Sequence, residues 1–490
     1  MINMNLTLEQ LQEIASTDPS LRRVPLSAEI YADVRTPIEV LRILKGASHH
    51  VYMLESAEAA ENWGRYTFLG YDPVMEITAR DGKVRIDGME MEGADPAPYI
   101  RRALAANKAP RVDSLPPFAG GLVGYFSYDY LKYSEPSLHL DANDDEGFND
   151  VDLMLFDKVI AFDNHRQKIV LIKQVPTDGL EDEYSRAEVE LRKMAGLILS
   201  GDPINNTSGR VTSEFRRLFD DEGYADIVRR AQEHIREGDI FQVVLSNRMD
   251  ADFNGSLLDT YRYLRASNPS PYMFYFSSDD IELAGASPET LVKLEDGVLH
   301  TFPLAGTRPR GATPEEDTAL EADLLADEKE LAEHNMLVDL GRNDIGRIAQ
   351  FGSVEVESLH QVLRYSHVMH IGSTVRGLIH PECDALDAVD SVLPAGTLSG
   401  APKIRACQII NDLENCKRGV YGGAIGYIDL TGNLDTCIAI RLAFKKNGRV
   451  FVRSGAGIVA DSDPAKENQE CINKAAAVIE ALTAGKEGMR

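Results

Sequence analysis

The sequence predicts an α+β protein with sizeable antiparallel sheets, and three observations carry that expectation. Short strand-like runs recur along the whole chain, a few long amphipathic helices stand among them, and the two kinds do not alternate steadily as in a parallel βαβ fold. At 490 residues the chain exceeds one ordinary core, so about two or three domains are expected. Hydrophobic content of 43% and charged content of 26% are those of a soluble globular protein.

In order, the apolar positions Leu8, Leu11 and Ile14 mark a helix within residues 6–20, and Thr36-Pro37 opens a second that runs through Ile38, Leu41 and Leu44. Strands follow at 50–56, 65–70 and 83–87, the last after an Asp81-Gly82 turn. Gly120-Gly-Leu-Val-Gly-Tyr-Phe126 reads as a strand with closely packed glycines, and Asp141–Asp152 as an acidic surface loop. A hairpin is bracketed by 159–162 and 168–172, and Glu181–Leu199 forms a charged amphipathic helix. Ser200–Gly209, rich in Gly, Pro, Asn and Ser, is the best linker, placing domains at 1–205 and 212–485.

Beyond it, helices are expected at 224–236 and 257–266, and strands at 240–245, 272–276, 281–284, 289–294 and 299–303. Thr318–Leu340 reads as one long helix, and 367–375, 424–429, 435–444 and 450–453 as strands. Gly120-Gly-Leu-Val-Gly-Tyr125 and Gly422-Gly-Ala-Ile-Gly-Tyr427 share a pattern too short to establish a duplication.

The formal charge of −27 excludes a nucleic-acid backbone or an anionic membrane as main partner, while leaving room for a small anion in a locally basic pocket. No basic start followed by an apolar run opens the chain and no stretch is long enough to span a bilayer, so no targeting peptide or membrane helix is expected. Five scattered cysteines without a C-x-x-C pair fit a reducing cytoplasm; Trp63 is the single tryptophan.

The chemistry concentrates near the C-terminus. A short β-like run ends in Gly455-Ala456-Gly457, where backbone amides can approach a ligand. Asp463-Pro464 then starts a helix whose Glu467, Glu470 and Lys474 share one face, with Ile472, Ile479 and Leu482 as the expected buried stripe. Glu330 and Glu333 repeat the same acidic spacing on the other long helix. One such pair is ordinarily a solvated face; two pairs of oxygen ligands fit Mg²⁺ better than zinc. Pro394–Lys403 is Gly-rich but not a phosphate-binding loop of the Walker type; it is either a tight turn or a loop presenting Thr397 and Lys403 to an anion. Arg441 is expected on a strand face beside the small residues Cys437, Ala439 and Ala443, with space for a carboxylate or for a structural ion pair. His370 on its own is more often a satisfied core histidine than a catalyst.

Together with Pro303-Leu-Ala-Gly-Thr-Arg-Pro-Arg310, Asp327–His334, Asp339-Leu-Gly-Arg-Asn-Asp344, Tyr421–Tyr427 and Asp435–Arg441, these clusters resemble the chorismate-utilising enzymes, and within them the anthranilate synthase component I branch. The resemblance is dense from Gln242 to Lys474 and thinner before the linker. It implies sheets packed in a sandwich with helices outside and two intertwined domains. It also implies Mg²⁺-dependent amination of chorismate by ammonia, then loss of pyruvate to give anthranilate, as the first committed step of tryptophan biosynthesis. Carried onto this chain, Glu330, Glu333, Glu467 and Glu470 become the Mg²⁺ site. Arg441, Tyr421 and the amides of Gly455, Ala456 and Gly457 bind the enolpyruvyl carboxylate, Gly306 and Thr307 line the ring site, and Lys474 either joins these substrate-binding residues or only balances the acids. His370 and Glu289 become candidates for proton transfer, with Thr397 and Gln242 beside them.

Gln242 stands where the water-adding isochorismate branch carries a lysine, and Pro303-Leu304-Ala305-Gly306-Thr307 lacks the lysine typical of the aminodeoxychorismate branch, which is the alternative reading. Leu54-Glu55-Ser56 and Asn268-Pro-Ser-Pro271-Tyr272-Met273 resemble a tryptophan-feedback pocket; Leu245-Ser-Asn247 departs from the family's common Pro-Ser-Arg. With no glutaminase signature present, the resemblance implies a glutamine amidotransferase partner (component II) and a heterotetramer.

Overall fold

The computed structural model describes residues 2–56, 64–204, 208–364 and 368–484. Trp63, part of the 200–209 linker and the start of the strand expected at 367 lie outside them. Two antiparallel sheets, of 13 and 12 strands, dominate the architecture. An apolar core with Tyr52, Phe274, Phe276, Phe444 and Phe451 from the first sheet and Leu122, Phe156, Val292 and Ile438 from the second lies between them, so the sheets form a sandwich. Helices Pro37–Ala47, Leu180–Ser200, Leu258–Ser267 and Pro464–Ala484 cover the outer face of the first sheet.

Strand alternation explains why these strands read as continuous apolar runs. In Val51–Glu55, Val51 and Met53 pack beneath the helices while Tyr52 points between the sheets, and Met273, Tyr275 against Phe274, Phe276 repeat the division. Both faces are buried, so both parities are apolar.

The segments before and after the linker do not own separate sheets. Strand Val51–Glu55 pairs with Tyr272–Ser277 in one sheet, and Gly121–Phe126 pairs with Ala424–Asp429 in the other. The second junction resolves the shared glycine pattern: the two copies lie side by side, Gly124 opposite Gly426. A Cβ at Gly124 would stand 2.0 Å from the Asp152 carbonyl, and one at Gly426 2.0 Å from that of Asp435. The repeat is a contact between halves, where neighbouring strands approach too closely for side chains.

Several expectations are corrected. The helix expected over 318–340 is two, Pro314–Ala326 and Glu328–Gly346, because the Asp327 carboxylate accepts from the amides of Lys329 (3.1 Å) and Glu330 (3.2 Å) and caps the second. The strand expected over 435–444 is also two, Leu434–Ile438 in one sheet and Leu442–Lys446 in the other. Arg441 therefore sits on no strand face; it lies where the chain crosses between sheets, with φ +53°. The strand expected over 450–453 runs on through the glycines, Arg449–Ile458, so the β-like run does end at Gly455–Gly457. The acidic 141–152 stretch is partly interior, with Glu146, Asp150 and Asp152 buried. On the last helix the buried stripe is Cys471, Ala475, Val478 and Leu482, not Ile472 and Ile479, because small residues let it lie close to the sheet. Among the described residues no helix is long and apolar enough to cross a membrane, and none of the five cysteines is in a disulfide.

Candidate active site

Strand Arg449–Ile458 pairs with Leu442–Lys446 on one edge only as far as Val452, while its other edge pairs with Gln242–Asn254 up to Ile458. Among the described residues the first edge is thus left without a strand neighbour from Arg453 onward, at the Gly455–Gly457 floor. The glycines are required by what approaches them. A Cβ at Gly455 would stand 2.8 Å from the Leu245 carbonyl and 3.1 Å from Tyr421 Oη, and one at Gly457 would stand 2.7 Å from Gln242 Nε2. Tyr421 and Gln242 are both buried, so the floor, the phenol and the amide form one surface.

Helix Pro464–Ala484 begins where Asp463 accepts from the amides of Ala465 (2.9 Å) and Lys466 (3.2 Å). It carries Lys474 to the floor: the ammonium donates to the Gly455 carbonyl (3.0 Å) and pairs with Glu470 (2.6 Å). Arg441 donates from Nη1 to the Lys474 carbonyl (3.3 Å), and burial holds its guanidinium below the usual range while Tyr421 and Glu470 oppose that shift.

The four acids arrive on two helices, Glu330 and Glu333 on Glu328–Gly346, Glu467 and Glu470 on Pro464–Ala484; Glu330 and Glu467 stand in the first turns, where the helix dipole favours a carboxylate. Glu333 is exposed, yet crowding by the protein and the charges of Glu330 and Glu470 raise its pKa, so the two helices share one electrostatic field. Glu467 is likewise raised, first by burial and then by Glu470, against a Ser462 hydrogen bond and Lys474. Arg308 approaches Glu330 at 3.5 Å; Glu333 has no ion pair among the described residues. The acids do not close into a cage: the one group with ligand atoms all within 4.8 Å, among the described residues, is His234, Glu237 and Asp239. There Asp239 already receives Arg405 at 2.6 Å.

Gly306 (φ +67°) forms an irregularity between Ala305 and Thr307, and its carbonyl lies 2.9 Å from His370 Nδ1, with Thr307 Oγ at 3.1 Å. A carbonyl only accepts, so Nδ1 carries the hydrogen and Nε2 the lone pair. Burial and Arg441 lower the His370 pKa against the Gly306 hydrogen bond, leaving a neutral imidazole near pH 7. Burial pushes Glu289 up to about 7; Thr397, donating to its Oε1 at 3.1 Å, and Lys474 oppose the rise. Lys474 therefore links the glycine floor, the acid pair and Glu289. Lys403 presents nothing to an anion, being committed to Asp344 (2.8 Å) and the Val392 carbonyl (2.9 Å).

Apart from these, Glu55 and Met273 face each other across adjacent strands, with Ser56 next in the chain and Asn268 and Pro271 on the approach to Tyr272. Asn268 ends helix Leu258–Ser267, and the Tyr272 hydroxyl donates to Asp435 (2.8 Å). The Glu55 carboxylate is held by Arg265 through two bonds (2.6 and 3.1 Å) and by Tyr261 (2.5 Å). Sequence reasoning missed Arg265; its one signal was the i, i+4 spacing with Tyr261 on a helix.

A family model described as chorismate binding enzyme matches residues 49–480. The chain is 44% identical over 480 residues to anthranilate synthase component 1 of Pseudomonas aeruginosa, covering 95% of this chain and 97% of that protein. To the same-named protein of Aquifex aeolicus it is 44% identical over 499 residues, covering 99% of each. Among solved structures, anthranilate synthase component I from Streptococcus pneumoniae matches with TM-score 0.74 at 38% identity, covering 92% of this chain and 98% of that one. The menaquinone-specific isochorismate synthase of Escherichia coli shares the fold, with TM-score 0.70 at 20% identity over 97% of this chain and 99% of that one. With the match to the family model running almost end to end over the glycine floor, both acid pairs and the His370 strand, the chain belongs to the chorismate binding enzymes, among their anthranilate synthase component 1 members.

Proposed function

We propose that this chain is the aminating subunit of an anthranilate synthase, converting chorismate and ammonia to anthranilate, pyruvate and water. The observation that carries the reading is Gln242, a buried neutral amide against the Gly457 floor, in a chain 44% identical to component 1 proteins over nearly its whole length. An amide orients ammonia, which is already nucleophilic, but does not deprotonate water.

Arg441, Tyr421 and the Gly455–Gly457 backbone bind the enolpyruvyl carboxylate, with Gly306 and Thr307 along the ring. Ammonia attacks C2, the ring double bonds shift, and the C4 hydroxyl leaves as water with a proton from Glu289, whose pKa of about 7 keeps that proton available. His370 Nε2 then takes the C2 proton; the C3–O bond breaks, the ring becomes aromatic, and the enol leaves to become pyruvate. Thr397 holds Glu289 in place.

The all-oxygen donor set and the like charge gathered at Glu333 fit Mg²⁺ held by Glu330, Glu333, Glu467 and Glu470, directly or through water. When bound, it supplies Lewis-acid polarisation and counter-charge for the ring carboxylate. Ammonia comes from a separate glutamine amidotransferase subunit, in a cytoplasmic heterotetramer, and tryptophan inhibits through the Glu55, Ser56, Asn268, Pro271, Tyr272 and Met273 region.

The purified chain, incubated with chorismate, ammonium and Mg²⁺, is expected to release fluorescent anthranilate and pyruvate in equal amounts, less when tryptophan is added. Glutamine should not replace ammonium until a glutaminase subunit is supplied. A product that retains the enolpyruvyl group, without pyruvate, would overturn the assignment.

A further inference from the structure

Beneath the glycine floor lie three ionised side chains with almost no access to solvent: Glu414 is 3% exposed, Arg418 and Arg453 each 2%. Arg418 reaches Glu414 through Nε (3.0 Å) and Nη2 (2.6 Å), and Arg453 reaches it through Nη2 (2.8 Å). Such an ion cluster is a poor source of stability, because desolvation offsets most of the attraction and apolar residues of similar size serve as well. Its remaining hydrogen bonds say what it does instead.

Arg418 donates to the carbonyls of Leu398 (2.6 Å) and Val244 (2.7 Å). Leu398 follows Thr397, and Val244 lies two residues beyond Gln242, opposite Gly457. Arg453 donates to Ser246 Oγ (2.8 Å) and the Lys417 carbonyl (2.9 Å); Ser246, opposite Gly455, gives both its amide (2.7 Å) and its hydroxyl (2.9 Å) to Glu414. The Arg418 guanidinium also lies over the Tyr128 ring, 4.5 Å from its centroid, and 5.9 Å from that of Tyr421. Each segment that brings a reacting or binding group to the site from this side is thus tied to one carboxylate.

We propose that Glu414, Arg418 and Arg453 form a positioning triad that fixes the Thr397 loop and the Gly455–Gly457 strand at one spacing from Gln242. Resting on the reading of this site as one that aminates chorismate, the triad sets the distance between the group serving the departing hydroxyl and the wall receiving ammonia. Guanidinium forks suit the task because each one bonds a carboxylate and separate carbonyls in fixed directions.

The test keeps charge and removes the fork. Arg418→Lys and Arg453→Lys, in the full chain, are compared with wild type and with Arg449→Lys, which alters an ion pair with Asp250 and Glu146 at the opposite end of the floor strand. Steady-state rates are measured with chorismate, Mg²⁺ and ammonium, alongside circular dichroism and thermal unfolding. In both triad variants kcat should fall by about tenfold to a hundredfold, the size expected when reacting groups are slightly misplaced. The KM for chorismate should change by less than about threefold, since Arg441 and the floor remain. In Arg418→Lys the alkaline limb of the rate profile should also move upward, because loosening Leu398 weakens the Thr397 hydrogen bond that, with Lys474, restrains Glu289. Arg449→Lys should match wild type. Triad variants with wild-type kcat and pH limb, or losing activity only in proportion to their folded fraction, would overturn the proposal. Absence of anthranilate from the wild type itself would instead overturn the functional reading on which it rests.

Discussion

Replacing Glu289 by glutamine removes a proton donor while keeping the shape and one hydrogen bond to Thr397. Burial sets the native pKa at about 7 against an ordinary value of 4.5, so near neutrality about half of the free enzyme holds the proton. Loss of a positioned general acid costs about 10²–10⁴ in rate. Wild-type kcat/KM for chorismate, followed by anthranilate fluorescence with the free-ammonia concentration held constant, should therefore decline as pH rises through about 7. In Glu289→Gln the rate should be lower by that factor and this limb should disappear.

The same group gives a stability signature with a definite sign. Its folded pKa is raised, so the native state holds this proton more tightly than the unfolded chain. The resulting stabilisation is complete below about 4.5 and lost as pH rises through about 7; at most about 3 kcal/mol is involved. Urea unfolding of Glu289→Gln should then lose less stability than wild type between about pH 5 and pH 8. A variant retaining more than about a tenth of wild-type kcat/KM, or the same alkaline limb, would refute the general-acid role.

Three further outcomes follow from the same geometry. His370→Ala should still aminate chorismate but release pyruvate at least about a hundredfold more slowly, so that chromatography finds the aminated cyclohexadiene accumulating; unchanged amination and pyruvate release would remove His370 from the chemistry. Glu470→Gln should raise the Mg²⁺ concentration for half-maximal rate by about tenfold or more, and an unaltered Mg²⁺ titration would place the metal elsewhere. Gly457→Ala puts a Cβ 2.7 Å from Gln242 Nε2 and must displace that amide. Separate titrations should show the KM for ammonium rising about tenfold while that for chorismate moves less, and equal shifts would argue against an ammonia-orienting Gln242.

What could be read from the sequence was whatever neighbouring residues decide among themselves. Thr36-Pro37 and Asp463-Pro464 start helices because cap and ring geometry act within one turn, and both helices begin at Pro37 and Pro464. The i, i+3 spacing put each acid pair on one helix face in the same way. Asp327 was legible in principle as a cap, but the run of leucines and acids continuing across it concealed the break. The Leu442–Lys446 strand was legible, whereas the crossing at Arg441 was not, because strand propensity does not say which sheet a run joins.

The C-terminal helix start and the acidic spacings were determined by sequence alone, since cap sterics and helix period depend on no distant partner; the glycines of the floor were visible there, but their reason, the close approach of Leu245, Tyr421 and Gln242, was not. Only tertiary structure brought Glu333 and Glu470 into one field and set Lys474, already one helical turn from Glu470, against Gly455 and near Glu289. It alone committed Glu55 to Arg265 and brought Arg453 of the floor strand to Glu414, which already had Arg418 four residues away. A charge acts through space on whatever the fold places beside it, and chain order records none of those distances.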